Sequence, residues 1–192
     1  MQQNSIMDRL KSETRPQHEA MERRVDLVER TRDSTAYADL IETFYGFYAP
    51  LEADLSHVEG LELAGVNLDE RRKSGRLEQD LRALGRDPSA AARCGDLPAV
   101  QDLAAALGCL YVLEGATLGG QIIRRHVADR LGLDAANGCS FFSSYGDRVG
   151  EMWNAFRKSL TTYAVDTETQ DRVVAAANET FTKFEEWLRQ RA

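Results

Sequence analysis

Cysteine and histidine are both scarce in this chain of 192 residues, with three of each. Cys94, Cys109 and Cys139 have no metal-ligand spacing, and an odd count closes no disulfide framework, so reduced thiols in a cytoplasmic protein are the simplest reading. An excess of positive charge is missing as well. Lysine and arginine total 24 against 31 acidic residues, a net charge of −7, which disfavours non-specific nucleic-acid binding. No apolar run approaches the ~20 residues of a membrane span. The opening segment MQQNSIMDRLKSETR lacks the apolar centre of a secretory signal. There is no internal repeat, no low-complexity linker, no nucleotide-binding glycine loop after a strand and no iron–sulphur cysteine pattern. The length suits one well-packed domain over residues 1–192.

Apolar positions recur at helical spacing nearly throughout, and no period-two alternation competes with them. This predicts an all-α bundle of six or so helices. The first runs from Ile6 to Val28, bent or restarted at Pro16. The second runs from Ser34, read as its N-cap, to His57, with Pro50 kinking it. The third spans Asp69 to Leu84 and stops at Gly85. After a connection over residues 85–97, Pro98 suits the first turn of a long fourth helix ending at Leu131, closed by Gly132. Residues 133–145 read as a loop, Asp147–Tyr163 as a fifth helix, and the segment from Asp166 to Arg189 as a sixth. In the last, Val173, Ala177, Phe181, Phe184 and Leu188 form one apolar stripe.

Three glycines interrupt the apolar fourth helix: Gly115, Gly119 and Gly120. Each costs about 1 kcal/mol relative to alanine in a helix interior. Bare backbone lets a flat group approach the main chain and lets a helix bend. It equally suits a close helix–helix crossing. Among the histidines, His18 shares a helix face with Glu22 four residues on. A carboxylate there can accept the Nδ1–H and leave Nε2 free for a metal, or the two can form a plain surface pair. His57 ends a helix beside Asp54, where a dipole contact accounts for it. His126 follows Arg124 and Arg125 in what reads as a solvated basic turn.

Two segments carry a family resemblance. LKSETRPQHEAME (Leu10–Glu22) and LYVLEGATLGGQII (Leu110–Ile123), about 100 residues apart, together resemble haem oxygenase. RKSGRLEQDLRALG (Arg72–Gly85), and a Phe-Phe pair followed by a helix holding NAFRKSL (Asn154–Leu160), extend the likeness over most of the chain. The resemblance implies a bundle with haem held between the first helix and a kinked, glycine-rich fourth helix. His18 is then the proximal iron ligand, oriented by Glu22. Gly115, Gly119 and Gly120 shape the distal face. Lys11, two turns before His18, and Arg157, beside Trp153, Phe156 and Leu160, match propionate-binding positions.

The implied reaction converts haem, O2 and electrons to biliverdin, carbon monoxide and ferrous iron. It requires protons at the distal face, delivered through ordered water. Mammalian-type members carry an aspartate directly after the first glycine of this motif, where this chain has Ala116. Thr117 and Tyr48 are then the candidates for holding water. A separate reductase or ferredoxin-like donor is implied, with no nucleic-acid or membrane partner.

Other classes fit less well. A bundle enzyme with a cysteine nucleophile needs a base near Cys109, and none lies at helical spacing. A di-iron oxygenase needs Glu-x-x-His pairs, and no glutamate lies three residues before any histidine. A non-catalytic haem carrier or sensor, keeping His18 and lacking distal chemistry, is the alternative that Ala116 keeps open.

Overall fold

Carboxylate and hydroxyl caps decide where most helices begin. The computed structural model describes residues 5–191, which form ten α-helices and one short 3-10 turn, with no strand among the described residues. Ser5 caps α1 (Ile6–Glu13) by accepting from the Asp8 N–H. Asp33 caps α4 (Ser34–Leu55), Asp102 caps α7 (Leu103–Leu131) and Asp166 caps α10 (Thr167–Gln190), each by accepting a backbone N–H three residues on. Such a carboxylate satisfies an orphan donor and sits at the positive end of the helix dipole. Two sequence expectations therefore shift. The N-cap of α4 is Asp33 and not Ser34, and the long helix starts at Leu103 and not at Pro98. Asp102 also pairs with Arg172 of α10, tying the two longest helices together at that end.

The expected first helix divides in three. Thr14 separates α1 from α2 (Arg15–Val25), and Pro16 falls in the first turn of α2, where its missing N–H costs nothing. Asp26, at φ 37°, ends α2, and the single turn α3 (Leu27–Arg30) follows. The expected helix over 69–84 is also divided, into α5 (Leu68–Arg71) and α6 (Ser74–Ala83). The cause lies on α4. The buried Glu52 carboxylate accepts the backbone N–H groups of Lys73 (2.6 Å) and Ser74 (3.1 Å) and the Ser74 hydroxyl (2.6 Å). A side chain from another helix thus starts α6. The expected loop 133–145 contains α8 (Ser140–Ser143) for the same reason. Asp80 of α6 accepts from the N–H groups of Ser140 (2.7 Å) and Phe141 (2.8 Å). Burial raises the Asp80 carboxyl to about 6, against the lowering effect of those two N–H groups. A 3-10 turn (Gly146–Arg148) leads into α9 (Val149–Tyr163). Other ends match expectation: Gly85 follows α6 at φ 76° and Gly132 closes α7 at φ 66°, while α4 continues through Pro50 and ends at Leu55, two residues before His57.

α10 organises the bundle. Its predicted stripe of Val173, Ala177, Phe181, Phe184 and Leu188 is fully buried. α7, α2, α1 and α4 all pack on α10. The α7–α10 crossing is tightest at Gly108, where a Cβ would strike the Val173 carbonyl and Ala176. Phe44, Phe47, Tyr48, Phe141, Phe142 and Phe184 form an aromatic cluster in the core, with Phe47 and Phe184 4.7 Å apart between ring centres. Contrary to the expectation from apolar runs, α7 is long and apolar enough to cross a membrane. Its most apolar window is 61% buried in the bundle, as befits a core helix.

Candidate active site

His18 and Gly115 extend from one point of contact. The α1–α2 junction at Thr14 comes close to Tyr111 of α7, near enough for the Thr14 side chain to act on the phenol. His18 lies one helical turn beyond Thr14, and Gly115 one turn beyond Tyr111. Both helices rest on α10. The imidazole is 47% exposed, and it stands edge-on to the Phe181 ring of α10 at 5.3 Å. Its Nε2 lies 3.7 Å from Glu22 Oε1, beyond hydrogen-bond range. The sequence expectation had Nδ1 facing the carboxylate. The i, i+4 spacing placed the two groups together but did not decide which ring edge turns inward.

The glycines of α7 do not act alike. A Cβ on Gly115 or Gly119 would meet nothing within 4 Å. Beside them, Leu118 and Ile122 are 42% and 67% exposed. Residues 115, 118, 119 and 122 share one helix face, so α7 carries an uncovered apolar stripe with bare backbone along it. A large aliphatic residue left in water at 67% exposure has lost most of its burial energy, of about 1.5–3 kcal/mol when complete. Gly120 is different. It is buried, and its Cβ would sit 3.4 Å from the Phe142 carbonyl oxygen, so it serves the packing of α7 on α8 and not an open face. Gly115→Ala should therefore raise thermal stability by about 1 kcal/mol from helix propensity, while obstructing whatever docks on the stripe. Thermal melting and a haem titration on one preparation check both halves.

Lys11 and Arg157 lie on touching helices, α1 and α9. Both are exposed, and neither makes an ion pair among the described residues. Two unpaired cations on neighbouring helices suit the carboxylates of a docked ligand.

The inward side of α7 holds a charged cluster that sequence reasoning missed. Glu114, 1% exposed, accepts from Arg71 Nη1 (2.5 Å), Lys73 Nζ (2.5 Å) and the Tyr145 hydroxyl (2.8 Å). Arg71 also donates to the Met152 carbonyl of α9 and lies 5.7 Å from the Phe156 ring centre. Desolvation lowers the pKa of the Lys73 ammonium, opposed by Glu114 and Glu52 and assisted by Arg71. The available signal was Glu114 itself, a charge in an otherwise apolar helix, which demands partners. Thr117 is buried and spends its hydroxyl proton on the Glu114 carbonyl (2.7 Å), so it can only accept from a water. The Tyr48 hydroxyl, in a 1% exposed side chain, makes no hydrogen bond among the described residues. Burial raises its pKa, and Glu52 and Glu114 raise it further.

The remaining candidates fall away from this site. His57 lies on the surface beyond the end of α4. His126 is half-buried with Nε2 shielded and unpartnered among the described residues, where a solvated turn was expected. Burial raises the Cys109 thiol to about 12, and Thr180 is its hydrogen-bond partner at 3.3 Å, so it is no nucleophile.

An all-helical bundle with an exposed imidazole and a bare, apolar helix face suits a haem-handling protein. Comparison with known proteins gives the same class. The family model for heme oxygenase matches residues 4–190. A heme oxygenase from Xanthomonas campestris pv. campestris is 30% identical over 153 residues, covering 79% of this chain and 88% of that protein. The fold superposes on the NO- and CO-bound heme oxygenase of Neisseria meningitidis with a TM-score of 0.86 at 22% identity, over 98% of this chain and 92% of that one. Against the haem complex of heme oxygenase-1 from the cyanobacterium Synechocystis the TM-score is 0.74 at 18% identity, over 97% and 92%. This chain belongs to the haem oxygenase family.

Proposed function

We propose that this protein degrades haem with O2 and electrons to biliverdin, carbon monoxide and ferrous iron. One observation carries the reading: an exposed imidazole and an uncovered glycine–aliphatic stripe stand on two helices, α2 and α7, that both pack on α10. A flat apolar plate with a metal at its centre and carboxylates on one edge matches that geometry. In this reading His18 ligates iron, and Glu22 orients the ring through its other edge once iron takes Nε2. Gly115 and Gly119 admit the porphyrin face, and Lys11 and Arg157 hold its carboxylates. Thr117 and Tyr48 hold water behind α7. Haem is the substrate and supplies the iron that activates oxygen. Electrons come from a separate reductase or ferredoxin-like donor, and the protein works in the cytoplasm.

The test is an anaerobic haemin titration followed by a single turnover with ascorbate and O2. A Soret band should appear on titration and disappear on turnover, with a bilin in its place. A Soret band that persists through reduction and oxygenation would mark a haem carrier and end the enzymatic reading.

A further inference from the structure

The proposed reaction needs protons on the haem side of α7, and Ala116 offers none. The inward face of α7 nevertheless borders a source. Leu113, Ala116, Thr117 and Gly120 of α7, with Lys73, Phe141 and Phe142, surround a cleft of about 10 Å³. That is space for one water molecule. Of these residues Lys73 alone is titratable, while the Thr117 hydroxyl proton goes to the Glu114 carbonyl. Lys73 is 2% exposed, and its Nζ donates to the Arg71 carbonyl (2.8 Å), Glu114 Oε1 (2.5 Å) and the Tyr145 hydroxyl oxygen (3.2 Å). Tyr145 is half-buried and borders a surface hollow of about 590 Å³, together with Glu70, Arg76, Ser144, Arg148 and Met152. A hydrogen-bonded pair thus spans from the outer surface to the cleft behind the distal helix.

We propose that Tyr145 and Lys73 form a proton-supply route from this hollow to the cleft behind Ala116 and Thr117, replacing the carboxylate that position 116 lacks. The proposal rests on the haem-degrading reading. The Lys73 ammonium turns the N–H that it donates to the Arg71 carbonyl toward the cleft water and releases that proton, and the water passes one on toward the substrate. The Tyr145 hydroxyl, which donates to Glu114 Oε1 while Lys73 is an ammonium, turns its proton to the Lys73 amine as it takes one from a water in the hollow. One proton enters, one leaves, no electron moves, and both groups end as they began. Burial of Lys73 favours its neutral form and eases the first transfer, while Glu114, Glu52 and Arg71 are the charges that face it. Neither residue touches the substrate.

Two full-length variants test the route: Tyr145→Phe and Lys73→Arg. The arginine keeps a cation facing Glu114 but cannot be deprotonated in a protein. Each variant and the wild type are titrated with haemin, then turned over once with ascorbate and O2, or with hydrogen peroxide, which brings its own protons. Haem binding should be unchanged. Bilin formation driven by O2 should slow about 100-fold or more in both variants, the lower edge of what positioned proton transfer contributes. Peroxide-driven formation should keep its wild-type rate. Wild-type rates with O2 in both variants overturn the route. An equal loss with O2 and with peroxide also overturns it, since that is what misplaced packing would do. If Lys73→Arg does not fold, Tyr145→Phe decides alone, because it removes only a hydroxyl from a half-buried ring. A wild type that binds haem but forms no bilin instead defeats the parent reading.

Discussion

His18→Ala should abolish bilin formation and weaken haem binding by more than about 100-fold, above what loss of a mere supporting partner to a metal ligand costs. The imidazole is 47% exposed and makes no hydrogen bond among the described residues, so the fold loses little with it. Its removal also leaves Phe181 with one fewer ring contact, a minor change for a residue already packed in the core. The thermal midpoint of the apoprotein should therefore stay within a few degrees of wild type. Glu22→Gln gives the graded comparison. It keeps the shape, removes the charge, and should cost roughly 10-fold in haem affinity, the lower end of the range for such a partner. An absorption titration of the two variants beside the wild type measures both effects. An unchanged haem spectrum and full turnover in His18→Ala would transfer the ligand role elsewhere.

Glu114→Leu should destabilise the protein strongly. It strands Arg71 and Lys73, with side chains 4% and 3% exposed, without their common carboxylate. Breaking a buried ion pair from one side costs roughly 3–5 kcal/mol, which for a domain of this size is on the order of 10 °C in Tm. The same arithmetic predicts its own repair. Replacing the set together, as Glu114→Leu with Arg71→Leu and Lys73→Met, exchanges buried charges for apolar volume and should recover most of the loss. Thermal melts by circular dichroism separate the two variants. A Glu114→Leu protein melting within about 2 °C of wild type, well under 1 kcal/mol, would show that water reaches the cluster. The role is architectural because Glu114 joins α7 to α5 and to the start of α6, while Glu52 of α4 and the Met152 carbonyl of α9 hold the same two basic residues.

The contrast between Gly115 and Gly120 shows how far a motif can be read. Both were expected to face the ligand, since all three glycines interrupt one apolar helix. Open Gly119 and packed Gly120 are consecutive residues turned about 100° apart on the helix, and only the position of Phe142 tells the open face from the packed one. His18 with Glu22 was legible because a four-residue spacing on a helix fixes a shared face. Arg71, Lys73, Glu114 and Tyr145 were not legible as a set. Their separations of 31 to 43 residues along the chain from Glu114 have no local signature. The same holds for α5 and α6, which read as one helix until Glu52 takes the Lys73 and Ser74 N–H groups.

Amino-acid order alone determined the helical class, the buried stripe of α10, the closing glycines at 85 and 132, and the pairing of an imidazole with a carboxylate on α2. Those features arise from interactions within a turn or two, where a 3.6-residue period and a cap act directly. Tertiary structure alone decided which glycines stay uncovered, where α6 and α8 begin, and which partners Glu114 finds. A buried charge or an unpaired backbone N–H is satisfied by whatever group the folded chain brings to it, and that group lies on another helix.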